Sequence, residues 1–317
     1  MKALITGIEG FVGGYLTEEL LENRIEICGT YLNKSLLNDN LIDKAKLYQL
    51  DITEQDSVES IVKDIQPDYI FHMAAQSSAA LSWNNPNQTM SININGTINL
   101  LNSIRNLAKE VKVLLIGSSE EYGVIETDKL PINENQELKP GNPYSISKIT
   151  QEMIAKLYVN AYDMNIVSTR SFNHIGPKQS SKFVISDWAK QIAEIEVENN
   201  DPVIYVGNLD IERDFTDVRD IVRAYVKLIQ YGSKGEAYNV GSGKSYILRD
   251  ILNELIRRSS KPIQVITDRA KHRPIDNPVI RCDNSKLKQC FEWQIQYDIK
   301  QSLNDILKYW RTEYRNL

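Results

Sequence analysis

The sequence is poor in cysteine. It has three in 317 residues, Cys28, Cys282 and Cys290. An odd number does not build a disulfide framework, and the spacing matches no metal-ligand pattern. A reducing compartment is expected, with no bound metal. Long apolar runs are also missing. No stretch reaches the ~18 residues that suggest a membrane span, and the opening segment Met1 through Gly7 is too short in apolar length for a secretory signal. The expected location is therefore cytoplasmic. Basic charge is not in excess either: 37 Lys and Arg face 42 Asp and Glu, for a net charge of -5 and a pI near 5.5. Nucleic-acid partners call for a basic face, so none is expected. No internal repeat, low-complexity tract or long linker breaks the chain.

Apolar residues make up 42% of the chain, enough for a packed core, which excludes a disordered protein. The length suits two lobes at ~150 residues per domain. In the first half, short apolar runs at residues 3–5, 25–28, 47–50, 69–73 and 113–116 alternate with segments of helical spacing. Those segments include Val12, Leu16 and Leu20, then Val58, Ile61, Val62 and Ile65, then Ile98, Leu101, Ile104 and Leu107. This alternation predicts a parallel sheet with helices on both faces. Asn142-Pro143 suits the start of a long helix running to about Asn160, asparagine as N-cap and proline at the first helical position. Residues 166–170 read as another strand.

Past residue 170 the rhythm loosens. Helices are expected over 182–198, 218–231, 248–258 and 300–314, and short strands near 203–206, 238–240 and 263–267. The expected class is α/β, a Rossmann-type doubly wound parallel sheet (residues 1–170, dinucleotide-binding) with a smaller α/β substrate-binding lobe (171–317), segments of which cross back to the first.

Gly7, Gly10 and Gly13 lie between the first strand and the first helix. Glycines there let backbone approach a pyrophosphate at a helix N-terminus, where free N–H groups and the helix dipole favour negative charge. The spacing G-x-x-G-x-x-G is one residue longer than the usual dinucleotide fingerprint. The second strand ends without the acid that often binds the ribose of NAD, and without an arginine for a 2′-phosphate. Lys34 either serves a phosphate or lies in a solvated loop. NAD and NADP are not distinguished. Asp51-Ile52 either reaches the adenine or caps the next helix. The run Gly241-Ser242-Gly243-Lys244-Ser245 imitates the end of a Walker loop, but Tyr238 stands where that motif needs its first glycine, and no ATP site is expected.

Tyr144 and Lys148 are four residues apart, so a helix puts them on one face. A phenol titrates near ~10 in isolation. A neighbouring ammonium favours its ionised form and makes the pair a usable proton donor and acceptor beside a hydride carrier. The fifth strand leads into Gly117-Ser118-Ser119-Glu120-Glu121-Tyr122-Gly123. Ser118 and Glu120 then sit at the carboxyl end of a central strand, where ligands of open α/β sheets bind.

These residues resemble the extended short-chain dehydrogenase/reductases. The glycine trio, His72-Met73-Ala74-Ala75, Asn93 before Gly96-Thr97, the Ser118 stretch and Tyr144/Lys148 all match in order. Phe172-Asn173-His174-Ile175-Gly176-Pro177, Arg213-Asp214-Phe215-Thr216-Asp217-Val218-Arg219-Asp220, Tyr238-Asn239-Val240-Gly241 and Arg273-Pro274 look like the GDP-mannose branch of the nucleotide-sugar enzymes.

The resemblance implies NAD(P)H-dependent reduction of the 4-keto group of GDP-4-keto-6-deoxy-mannose, giving GDP-D-rhamnose. It implies that Gly7, Gly10, Gly13, Asp51 and Ile52 hold the cofactor, that Ala74 and Ala75 line its channel, and that Lys148 also grips the nicotinamide ribose. Ser118, Glu120, Tyr144 and Lys148 would be catalytic, and Ser119, Asn173, Arg213 and Arg273 would contact the substrate. His174 is a weaker candidate beside the nicotinamide. Glu120 matches the proton-transferring glutamate of the 4,6-dehydratases, so dehydration of GDP-mannose is the alternative, along with another reductase or epimerase of the same family. A homodimer joined through helices around residues 93–108 and 143–160 is also implied.

Overall fold

The computed structural model describes residues 1–37, 39–198, 201–271 and 277–315. Seven parallel strands form the main sheet: β1 (Lys2–Thr6), β2 (Glu26–Tyr31), β3 (Lys46–Gln49), β4 (Tyr69–His72), β5 (Lys112–Ser118), β6 (Asn165–Ser171) and β10 (Ala237–Val240). Their order is β10-β6-β5-β4-β1-β2-β3. The register is continuous; Thr6 lies opposite both Thr30 and His72, and Ser118 lies opposite Ser171.

Alternation along each strand explains the unbroken apolar runs. Ala3 and Ile5 of β1 face one core, and Leu4 faces another. Leu114 of β5 joins the first core while Val113 and Leu115 join the second. Successive side chains point to opposite faces, so a strand covered on both sides reads as a near-continuous apolar run. The helices Phe11–Glu22 and Val218–Tyr231 cover the first face, and Gln55–Ile65, Gly96–Arg105 and Pro143–Tyr162 cover the second.

A second assembly follows β6. Helices Val184–Glu198, Leu248–Ile256 and Ile299–Arg315 enclose a core containing Trp188, Ile192, Leu252, Ile306 and Leu307. Two small sheets complete it. β11 (Ser245–Ile247), β9 (Glu212–Asp217) and β7 (Asn173–Ile175) form one, and β12 (Gln264–Thr267) with β8 (Val203–Val206) the other. β10 and the helix Val218–Tyr231, which come late in sequence, complete the main sheet's edge and face.

Strand order reverses between β1 and β4. In open parallel sheets the crevice at the carboxyl ends beside this reversal is where ligands bind. Gly7 follows β1, Met73 to Ala75 follow β4, and Ser118 ends β5, so the topology brings three separated motifs to one rim.

Candidate active site

The glycine turn is dictated by close contacts. Gly7 has φ +71°, and a Cβ there would lie 3.0 Å from Ala74 Cα. A Cβ on Gly13 would sit 2.1 Å from the carbonyl oxygen of Ile8, so no side chain fits. The helix Phe11–Glu22 opens at Gly10 with no side-chain cap and no acid in its first turn. Its N-terminal amides and positive dipole end thus suit an anion. The donors and the space fit a dinucleotide pyrophosphate.

β4 is locked to β1 by a buried histidine. His72 Nδ1 lies 2.8 Å from Thr6 Oγ1, and Nε2 lies 3.0 Å from Thr97 Oγ1. Thr6 Oγ1 also accepts hydrogen bonds from the amides of Met73 and Ala74. Burial, reinforced by the charge of Lys148, pulls the His72 imidazole down to about 3, so it is neutral. Asn93 ties the next loop to the long helix: its Oδ1 accepts from Gln76 N, and its Nδ2 donates to Gln76 O and Ser147 Oγ. These bonds fix Ala74 and Ala75 opposite the glycine turn.

The long helix is Pro143–Tyr162, with Asn142 as N-cap accepting from Ser145 N at 2.8 Å. Its first turns carry Tyr144 and Lys148, both nearly buried. Ser118 caps the short turn Ser119–Tyr122, accepting from Glu120 N at 3.2 Å. The Ser118 hydroxyl stands beside the Tyr144 side chain, close enough to favour its ionised form. Lys148 Nζ donates to Ile116 O at 2.8 Å and stands 5.9 Å from the centre of the Tyr144 ring. Glu120 Oε2 accepts from Asn142 Nδ2 at 3.1 Å, which points this carboxylate at the same helix start. The structure therefore brings Ser118, Glu120, Tyr144 and Lys148 together.

The electrostatics differ in detail from the expected pairing. Burial pushes the Tyr144 phenol up, the neighbouring Ser118 hydroxyl opposes this, and the carboxylates of Glu121 and Glu120 add to it. Burial also pulls the Lys148 ammonium down to about 8, against the opposing charge of Glu121. Ser118, rather than Lys148, is the foremost group favouring the phenolate here. The phenol is protonated at neutral pH, the form that donates a proton.

Behind these residues lies a network that sequence reasoning missed. Arg170 on β6 grips Glu152 of the long helix with two bonds, Nε to Oε2 at 2.9 Å and Nη2 to Oε1 at 2.8 Å. Its Nη1 donates to Tyr122 Oη and to Glu134 O. Tyr122 in turn donates to Asn239 Oδ1 at 2.6 Å. Glu121 is wholly buried, accepts from Ser118 N at 2.7 Å, and has Oε2 3.8 Å from Arg170 Nε. Burial first, then Glu152, push the Glu121 carboxyl up to about 8, with the Ser118 amide and Arg170 opposing. This cluster bolts the long helix, β5 and β6 together, and so fixes Tyr144 relative to Ser118.

Other expected residues are placed as follows. Asp51 is exposed and accepts from Thr53 N at 2.9 Å and Thr53 Oγ1 at 2.7 Å, a local turn before the helix Gln55–Ile65. Ile52 is buried beside Gly96. Ser119 is buried and Asn173 is exposed on β7. His174 stacks on Phe11, ring centres 6.1 Å apart, and bonds Phe172 O through Nδ1. Arg213 on β9 donates to the carbonyls of Glu212 and Asn277, both at 2.7 Å. Arg273 lies outside the described residues. In the run from Arg213 to Asp220, Asp217 caps a helix and holds Arg219, and Asp220 accepts from the amides of Gln296 and Tyr297. Asp214 accepts from the amides of Ser242, Gly243 and Cys282. The amides of the Walker-like run thus face a carboxylate of this chain.

Comparison with known proteins fits this geometry. The family model described as GDP-mannose 4,6 dehydratase matches residues 4–306. The chain belongs to that family. It is 31% identical to a GDP-6-deoxy-D-mannose reductase of Pseudomonas aeruginosa, covering 99% of this chain and 98% of the relative. It is 31% identical to a GDP-mannose 4,6-dehydratase of Yersinia enterocolitica, covering 82% of this chain and 71% of that protein. The solved structure of RMD from Pseudomonas aeruginosa complexed with NADPH superposes with a TM-score of 0.88 at 29% identity, covering 98% of this chain and 99% of that one. The extended short-chain dehydrogenase/reductase class and the doubly wound sheet expected from the sequence are thus shown. Among the described residues no helix is long and apolar enough to cross a membrane.

Proposed function

We propose that the protein reduces the 4-keto group of GDP-4-keto-6-deoxy-mannose with NADH or NADPH, forming GDP-D-rhamnose. The observation that carries this is the convergence of Ser118, Tyr144 and Lys148 at the carboxyl end of β5, on the rim that holds the glycine turn. The likeness to the Pseudomonas reductase over nearly the full length of both chains supports the same reading.

The bound nicotinamide would supply a hydride to carbon 4. Gly7, Gly10 and Gly13 would admit the pyrophosphate, Ala74 and Ala75 would line the channel, and Asp51-Ile52 would border the adenine. The buried Tyr144 phenol donates a proton to the oxygen of the former ketone, while Ser118 hydrogen-bonds that oxygen and holds the phenol. Lys148, close to its own titration midpoint, resupplies charge and proton beneath the ring. Donors already oriented where negative charge develops account for most of such an acceleration. Ser119, Asn173, Arg213 and Arg273 are the proposed substrate contacts; a guanidinium fork suits diphosphate oxygens.

Residues 1–170 would serve the dinucleotide and 171–317 the nucleotide sugar, with β10 and the helix Val218–Tyr231 lent back. A cytoplasmic location belongs to the same proposal. So does a homodimer: Ile146, Met153 and Leu157 are exposed on one face of the long helix, Leu157 at 65%, an apolar stripe that a second copy of this helix would cover.

A second reading, 4,6-dehydration of GDP-mannose, is favoured by Glu120, whose carboxylate is tethered beside Tyr144. A dehydratase regenerates its cofactor, whereas a reductase consumes it. Reduced-cofactor absorbance is followed with GDP-4-keto-6-deoxy-mannose as substrate, and GDP-mannose is incubated without added cofactor. Oxidation in the first and no turnover in the second is expected; the opposite pattern establishes the dehydratase.

A further inference from the structure

The acid absent from the end of β2 is present in space. β2 ends at Tyr31, and the residues that follow, Leu32-Asn33-Lys34, bring no carboxylate. In a sheet of this order the adenosine ribose of a dinucleotide is bound beyond that strand end, often by an acid. Glu9, between Gly7 and Gly10, reaches the same place from the glycine turn. Its Oε1 accepts a hydrogen bond from Leu32 N at 2.8 Å. Its Oε2 is shielded from water and has no hydrogen-bond partner. An unpartnered carboxylate oxygen calls for a donor, and a ribose hydroxyl is one that the half-buried Glu9 side chain would meet by turning toward the crevice. Neighbouring groups do not compete for the role: Asn33 Oδ1 accepts from Ser35 N and Oγ, and Lys34 is exposed.

Resting on the reading of this turn as a dinucleotide site, we propose that Glu9 sets the coenzyme preference, accepting the adenosine 2′-hydroxyl and repelling a 2′-phosphate, so that the protein selects NADH over NADPH. The solved Pseudomonas relative was complexed with NADPH, so likeness alone does not suggest this preference. A carboxylate bonded to a hydroxyl is a charge-assisted contact, and the same charge opposes a phosphate dianion at contact range.

The test is direct binding. Dissociation constants of NADH and NADPH are measured by fluorescence titration with the full-length protein and with Glu9→Gln. The glutamine retains the oxygen that accepts from Leu32 N and removes only the charge. The wild type is expected to bind NADH at least about tenfold more tightly, the ratio that ~1.4 kcal/mol produces, and Glu9→Gln to bring the two within about threefold. Should Glu9→Gln melt early, Glu9→Ser replaces it. Competition by 5′-AMP against adenosine 2′,5′-bisphosphate on the wild type reads the same preference at the adenosine end without any variant. A wild type that binds NADPH as well as NADH, or a ratio unchanged by removing the charge, overturns the role of Glu9 and leaves the dinucleotide site standing. Binding of neither coenzyme overturns both.

Discussion

Glu121→Gln separates the charge of a buried carboxyl from its shape. The native group is wholly buried, accepts one amide bond from Ser118, and titrates at about 8 in the folded state against 4.5 for a free glutamate. Raising a carboxyl in the folded state means that the folded protein holds a proton the unfolded chain releases. The stability from that proton is complete below pH 4.5 and is lost as pH rises toward 8. The slope over this window is ~1.4 kcal/mol per pH unit. Between pH 5.5 and 7.5 the wild type therefore loses about 3 kcal/mol that a glutamine, an isostere of the protonated acid, does not lose. At ~2.1 cal/mol/K per residue, a chain of 317 residues converts this to about 4 °C in Tm. Melting curves of both proteins at the two pH values measure it, because other titrating groups are common to both and cancel in the difference. Glu121→Gln should close or reverse its gap to the wild type by about 4 °C on going from pH 5.5 to 7.5. Parallel Tm curves across that range would refute the argument that Glu121 is buried as an acid. The ionised group also raises Lys148 and Tyr144, so the alkaline limb of the activity profile should move to lower pH in the variant.

Three further outcomes are expected. Tyr144→Phe removes the proposed proton donor and should lower kcat by about 10²–10⁴-fold while leaving the dissociation constant of the reduced coenzyme near the wild-type value, read by fluorescence titration; activity near wild type would remove Tyr144 from the mechanism. Arg170→Met removes two of the three hydrogen bonds that the buried Glu152 carboxylate accepts among the described residues, leaving Lys156 Nζ at 2.8 Å; burial raises this carboxyl, and its bonds to Arg170 and then Lys156 hold it low. It should cost about 3–5 kcal/mol in a denaturant titration, with the double variant carrying Glu152→Gln recovering part of it. If the proposed homodimer forms through the long helix, light scattering should give a dimer for the wild type and a monomer for Leu157→Lys, with coenzyme affinity retained; a monomeric wild type would refute the dimer, and a variant of unchanged dimeric mass would refute this contact.

The main sheet was legible where a strand covered on both faces is apolar at successive positions, as in residues 3–5 of β1 and 113–116 of β5. β5 and β1 are continuous apolar runs for that reason, and the Asn142-Pro143 start of the long helix is readable from capping chemistry alone. β9 was not legible. Its residues Arg213, Asp214 and Asp217 are charged yet buried, each satisfied by partners far along the chain. Polarity that is neutralised by tertiary contact has no local signature. β10 was visible as a strand, but its pairing with β6 depends on the chain crossing back, and no local pattern encodes that. Within the site, Ser118, Tyr144 and Lys148 could be found by spacing and strand position. Arg170 and Glu152 could not, since an arginine on a strand and a glutamate on a helix declare their pairing only once both are buried. Glu9 carried one signal, a charge inside a glycine turn, but its link to Leu32 is purely spatial.

The most direct measurement of the central claim follows the hydride itself. Coenzyme deuterated at carbon 4 of its nicotinamide, on either face, is supplied with GDP-4-keto-6-deoxy-mannose, and the product is read by mass spectrometry and NMR. One face of the coenzyme should deliver a single deuterium to carbon 4 of a 6-deoxyhexose, with one coenzyme oxidised per sugar and the rhamnose configuration at that carbon. Product without label from either coenzyme, or label at another carbon, would contradict the account.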